Sequence, residues 1–103
     1  MAVEHWEEAR DGPLSEAAMR RKLEARGYAV QTYVYPPGTV FPEHTHAVDK
    51  IDGVLSGRFR LVLEGKAVVL GAGDCIAVPA GAVHSAEVVG AEPVVSLDAV
   101  RRA

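Results

Sequence analysis

Two histidines, His44 and His46, stand two residues apart in the stretch PEHTHAVDK, and a third, His84, follows in PAGAVHSA. Side chains alternate along an extended strand, so His44 and His46 are expected to point to one face. Three neutral imidazoles meeting at one point make a divalent-metal site with open coordination positions, the arrangement a catalytic ion needs. The His-x-His pair alone carries little weight, because two histidines on one strand are often incidental. Lys50 follows closely and sharpens the question. An ammonium about 5 Å from a dication, at an effective dielectric near 20, is repelled by roughly 6–7 kcal/mol before relaxation. A marginally stable domain does not carry that uncompensated. Asp52 shares the strand parity of Lys50, with α-carbons about 6.6 Å apart, and a Lys50–Asp52 pair would offset the charge. Asp49 has the opposite parity and is expected to face outward. The pair can be read as a structural ion pair, or as two solvated side chains. It can also be read as catalytic, with Lys50 anchoring a substrate carboxylate or serving as a base of lowered pKa. Lys50 and Asp52 are therefore the candidate catalytic residues, and His44, His46 and His84 the candidate metal ligands.

These residues need elements to hold them. The first 27 residues have a period of their own. SEAAMRRKLEARG predicts a helix, with Ser15 as N-cap and Gly27 as the stop. Leu14, Ala18, Met19 and Leu23 give it a modest apolar stripe, suited to covering a sheet. Trp6 is expected to dock the preceding arm, and His5 to lie on the surface. Arg20, Arg21, Lys22 and Arg26 alternate with Glu16 and Glu24, which predicts a solvated helix face. From Tyr28 onward the chain reads as strands and tight turns: YAVQTYVY, TVFPEHTHAV, KIDGVLS, RFRLVLE, KAVVLG, DCIAVP, VHSAEVVG and PVVSLDAV. Glycine- and proline-rich punctuation separates them, and RFRLVLEGKAVVL predicts a hairpin around Glu64–Lys66. Short strands at this spacing predict a sandwich or small barrel.

The glycines and prolines around the histidines form a wider pattern. Gly38, His44, His46 and Gly57 fit G-x5-H-x-H-x3-4-E-x6-G, and Gly73, Pro79, Gly81 and His84 fit G-x5-P-x-G-x2-H-x3-N, with fifteen residues between the two motifs. In these positions the chain resembles the cupin superfamily, and in particular its small single-domain members. The resemblance extends over roughly residues 28–100. It implies an all-β fold, a small jelly-roll barrel, here preceded by a short N-terminal helix. It further implies a metal held inside the barrel by His44, His46 and His84. The domain organisation expected is an arm and helix over residues 1–27 packed on a barrel over residues 28–103, one domain overall. Two positions depart from the pattern. Lys50 stands where the family's glutamate ligand aligns, and Val88 where its asparagine aligns. Apart from the resemblance, Gly57 and Gly81 suit tight reversals, Pro79 fixes the entry to its turn, and Pro42 suits an edge or irregular strand start.

Composition limits the remaining choices. One hundred and three residues with 49% hydrophobic and 24% charged content suit one soluble globular domain. A net charge of −3 gives no reason to expect nucleic acid or an anionic membrane as partner. Cys75 is the only cysteine, so it forms no internal disulfide and is expected to be a small buried apolar residue. No apolar run reaches membrane-span length and the start lacks a signal-peptide core, which points to the cytoplasm. Arginine-rich, asparagine-free composition suits a thermophile or a GC-rich genome. The expected cofactor is one divalent transition metal ion: Fe, Mn, Zn or Ni. Fe(II) would suit dioxygenase chemistry, and Zn(II) or Mn(II) Lewis-acid isomerisation or decarboxylation. The function expected first is a metal-dependent enzyme acting on a small organic acid or related metabolite. A non-catalytic small-molecule-binding or sensing protein and a metal-free structural barrel are the alternatives. The family also leads one to expect a homodimer.

Overall fold

The computed structural model describes residues 2–103. Turn chemistry cuts the chain after Gly27 into eight strands: β2 (Tyr28–Tyr35), β3 (Val40–His44), β4 (Lys50–Ser56), β5 (Arg58–Leu63), β6 (Lys66–Leu70), β7 (Cys75–Val78), β8 (His84–Val89) and β9 (Val94–Arg101). The N-terminal arm adds a two-residue strand β1 (Val3–Glu4), a single helical turn α1 (Glu8–Asp11) and the helix α2 (Glu16–Glu24). All strand pairs are antiparallel. They form a five-stranded sheet in the order β1-β7-β4-β9-β2 and a four-stranded sheet in the order β3-β8-β5-β6. The two sheets face each other as a jelly-roll sandwich. They are not closed into a barrel, because β2 and β3, consecutive in the chain, end as free edges of different sheets.

Alternation explains the core between the sheets. In β5, Phe59, Leu61 and Leu63 point inward and are buried, while Arg58 and Arg60 point outward. With Val88 of the adjacent strand β8, they meet Val54, Ile76, Val78 and Val94 from the facing sheet. Strands β4 and β9 are largely buried on both faces, since α2 covers the back of their sheet. Met19 and Leu23 of α2 are buried against Val30, Ile51, Cys75, Leu97 and Ala99, so the lone cysteine lies under the helix as expected. Gly53 lets the helix approach closely: a β-carbon there would come within 2.8 Å of the Met19 sulfur.

The Ser15 hydroxyl accepts from the Ala18 N–H at 3.0 Å, capping the first turn of α2. Its basic residues are less solvated than their pattern suggests. Lys22 pairs with Asp11 at 3.0 Å, Arg26 pairs with Glu4, and Arg20 donates to the Thr32 hydroxyl at 2.9 Å. These contacts tie arm, helix and sheet together, a role that helical periodicity alone does not reveal. Trp6 docks the arm: its backbone N–H donates to the Gly73 carbonyl at 3.0 Å and its indole N–H to the Gly12 carbonyl at 2.8 Å. Gly73 has φ +88°, and a β-carbon there would lie 2.6 Å from the Trp6 β-carbon, so this motif glycine is required by the arm as well as by its turn. His5 is mostly exposed, yet its Nδ1 lies 2.6 Å from an Asp74 carboxylate oxygen.

Met19→Ala should cost about 2–5 kcal/mol of stability by opening a cavity beneath α2. Ser15→Ala should cost about 1 kcal/mol through loss of the cap. Urea unfolding of both variants checks the order, and a Met19→Ala loss smaller than that of Ser15→Ala would contradict this account of how the helix is held.

Candidate metal centre

The site begins with an irregularity in an edge strand. In the β3–β8 pair, Phe41 stands opposite Ala86 and His44 opposite His84. The chain advances three residues on β3 and two on β8, so β3 carries a bulge at Pro42–Glu43. Proline has no N–H for the ladder and is tolerated at such a point on an edge. The extra residue also resets the alternation. Phe41 and His44 are of opposite parity, yet both face the space between the sheets. His44 thus becomes the direct cross-strand neighbour of His84.

His46 lies beyond the end of β3, so alternation within the strand does not place it. The strand stops because β8, its partner, begins at His84. Two contacts from the second motif hold the loop instead. The Gly81 N–H donates to the His46 carbonyl at 2.8 Å, and the Ala80 N–H donates to an Asp49 carboxylate oxygen at 2.8 Å. Gly81 sits at φ +78°, a conformation that favours glycine, and this presents its amide to His46. Asp49 is therefore turned away from Lys50, as parity predicts, and fastens the two motifs together.

The three rings converge. Ring centroids are 4.8 Å apart for His44–His46, 4.1 Å for His44–His84 and 5.0 Å for His46–His84. One nitrogen from each lies within 4.8 Å of the others, which puts all three within about 2.8 Å of a common point. A zinc–imidazole bond is roughly 2.1 Å, so side-chain rotations of under about an ångström would close the set on an ion. The tautomers suit this as well. His44 Nδ1 lies 2.7 Å from the Pro42 carbonyl and His84 Nδ1 lies 2.9 Å from the Ala82 carbonyl. A carbonyl only accepts, so each Nδ1 carries the proton and each Nε2 keeps its lone pair. Burial lowers the pKa of His84, which is 4% exposed, and the His44 and Lys50 charges lower it further, against the Ala82 hydrogen bond. Burial also lowers that of His46, followed by the charge of Lys50. Both rings are thereby held in the neutral form that can ligate.

The facing wall belongs to the five-stranded sheet. Lys50 does turn inward, but its nearest partner is not Asp52. Its Nζ donates to Asp98 Oδ2 at 3.3 Å and lies 4.0 Å from Asp52 Oδ1. Asp52 and Asp98 are direct cross-strand partners on β4 and β9. Burial first, and then the neighbouring Asp98 carboxylate, push the Asp52 carboxyl well above the ordinary range, while Lys50 opposes the shift. Asp98 is the site residue that sequence reasoning missed. The signal available was a single acid, of the same parity as buried Val94 and Ser96, in the otherwise uncharged run PVVSLDAV.

Histidines, lysine and acids enclose a cavity of about 150 Å³. Tyr35, Phe41 and Phe59 give it an aromatic side, with Tyr35 centroids 4.9 Å from Phe41 and 5.8 Å from Phe59. A larger concavity, about 530 Å³, lies against the Leu63–Lys66 turn and the Pro79–Ala82 turn, and its only charged lining residues are Glu64 and Lys66. The convergent chemistry is in the smaller one. Among the described residues, no helix is long and apolar enough to cross a membrane.

Known structures share this framework. A conserved protein of unknown function from Streptococcus pyogenes is 21% identical with a TM-score of 0.66, covering 75% of this chain and 66% of its own. The DMSP lyase DddQ from Ruegeria pomeroyi is 27% identical with a TM-score of 0.66, covering 74% of this chain and 39% of its own. An oxalate decarboxylase from Bacillus subtilis, described with Mn(II) centres, is 27% identical with a TM-score of 0.63, covering 73% of this chain and 22% of its own. The chain thus spans just under two thirds of the first protein and well under half of the other two. No curated protein matches the sequence. The cupin domain family model matches residues 31–100, the span that runs from β2 through β9 and carries all three converging histidines. By that match, and by the two facing antiparallel sheets, the chain belongs to the cupin family.

Proposed function

We propose that this cupin is a metal-dependent enzyme acting on a small organic acid or related metabolite, with His44, His46 and His84 as its metal ligands. The observation that carries the reading is the convergence of three imidazoles, two of them with Nδ1 tied to backbone carbonyls and Nε2 left to ligate. The DMSP lyase and the Mn(II)-containing oxalate decarboxylase support it as similar proteins with catalytic names. A divalent ion in such a site supplies Lewis-acid polarisation of a bound oxygen, or a redox centre if it is iron.

The chain's own residues do the rest. The cavity of about 150 Å³ suits a small substrate, and its aromatic side accommodates an apolar portion. Lys50 is 11% exposed in its side chain, and its ammonium has three donors. Asp98 takes one of them, leaving others for a substrate carboxylate or for proton exchange with it. Asp52, carrying its proton over a wider pH range than an ordinary carboxyl, can donate a hydrogen bond from the floor of the cavity. In this reading the charge at the position of the usual carboxylate ligand has been exchanged for a substrate-orienting cation.

Protein prepared without chelators should contain close to one transition metal ion per chain by elemental analysis, and His84→Ala should remove it with little change in folding. Less than about a tenth of an ion in the parent protein would leave a metal-free sandwich as the better account. Lys50→Ala should weaken binding of small carboxylates to the loaded protein and reduce any turnover. Unchanged binding and turnover would remove Lys50 from the catalytic role.

Imidazoles ligate only when neutral, so bound metal should be lost as pH falls below about 6.5. The lowered pKa values of His46 and His84 move that loss to more acid pH than for exposed histidines. Constant metal content from pH 8 to pH 4 would contradict imidazole ligation. Folding is linked to the same groups. The unfolded imidazoles take up protons first, so the histidine contribution to stability is complete above pH 6.5 and is lost as pH falls. Asp52 acts with the opposite sign: its raised value gives a contribution present at low pH and lost as pH rises through about 7. Metal-free Asp52→Asn protein should therefore lose more stability between pH 7 and pH 5 than the metal-free parent, as read by denaturant unfolding.

A further inference from the structure

We propose that Asp98 sets the metal affinity of the centre without being a ligand, by holding the Lys50 ammonium on the opposite wall and cancelling its charge. The inference rests on the metal-binding reading above. Lys50 and the three histidines line the same small cavity, and the lysine side chain is 11% exposed, so water screens it poorly. An ion among the imidazoles would therefore feel the ammonium strongly.

Two carboxylates can answer that charge. Asp98 is the nearer, at 3.3 Å with a hydrogen bond, and Asp52 lies at 4.0 Å without one. Asp98 is also the more exposed of the two, with 25% of its side chain accessible against 10% for Asp52, whose carboxyl burial pushes up. Lys50, Asp98 and the three histidines line one cavity, so the field of either charge reaches an ion bound among the imidazoles. Asp98 is held in place by backbone pairing, opposite Asp52 on β4 and Gln31 on β2, so its position does not depend on the metal.

The test is Zn(II) affinity, measured at pH 7.5 by competition with a chromophoric chelator, for the metal-free parent, Asp98→Asn, Lys50→Met and the double variant. Thermal unfolding of each metal-free protein is recorded alongside. Asp98→Asn should weaken Zn(II) binding at least tenfold, Lys50→Met should strengthen it at least tenfold, and the double variant should return to within about threefold of the parent. A purely structural role for Asp98 would instead appear as a fall in thermal stability of metal-free Asp98→Asn accompanying the loss of affinity. Unchanged affinity in Asp98→Asn, or a double variant as weak as Asp98→Asn, overturns the proposal. If Asp98→Asn alone does not fold, the double variant compared with Lys50→Met decides, and it must bind at least threefold more weakly than Lys50→Met. A parent that binds no Zn(II), Mn(II) or Fe(II) overturns the metal-binding reading itself and this inference with it, an outcome distinct from a metal-binding parent whose affinity ignores Asp98.

Discussion

The pairing of β3 with β8 is the constraint on which the site rests. His44 and His84 stand forty residues apart in the chain, and they become neighbours because one antiparallel register sets them opposite each other. A slip of one residue would turn His44 away from the cavity. The bulge at Pro42–Glu43 gives the register its form, bringing Phe41 and His44 to the same side. The Gly81 amide then carries the third ring into place through the His46 carbonyl. Motif spacing in this chain is therefore a record of hydrogen-bond geometry: each fixed interval delivers a donor or a ring to a partner on another strand.

The second organising feature is electrostatic. The sandwich places a lysine beside two acids in a cavity lined otherwise by imidazoles, aromatic rings, Leu61 and Ala86. Poorly screened charges of this kind are tolerated only when paired. The arrangement meets that condition by distributing one ammonium over two carboxylates on adjacent strands. On the facing wall burial favours the neutral form of His46 and His84, and the Nδ1 atoms of His44 and His84 meet carbonyls close by in their own chain segments.

Support for this wall comes from the other side of the sheet. Strands β4 and β9 hold Lys50, Asp52 and Asp98 on one face and Ile51, Leu97 and Ala99 on the other. The apolar face is buried by α2, and the arm is tied to the sheet through β1, Trp6 and the ion pairs of Lys22 and Arg26. Rigid packing behind the strands keeps the polar residues in register in front of them, a division of labour that a sheet covered on both faces permits.

Much of this was legible from the residues alone. The eight strand runs, the α2 helix with its Ser15 cap and the burial of Cys75 follow from alternation, capping chemistry and composition, because these depend on neighbours close in sequence, whereas the three histidines were legible as a set through the resemblance to the cupin motifs. The alignment of Lys50 with the family's glutamate ligand also pointed to its inward turn, though two solvated side chains remained an alternative reading. Local pattern could not choose between Asp52 and Asp98 as the partner of Lys50, since Asp98 lies forty-eight residues away and reaches Lys50 only through the β4–β9 register. Nor could it show that β3 ends before His46, that the basic residues of α2 anchor the arm, or that the sheets leave an open seam between β2 and β3. Strand identity is written in a few adjacent residues, whereas which edges meet, and therefore which charges meet, is decided when distant strands pair.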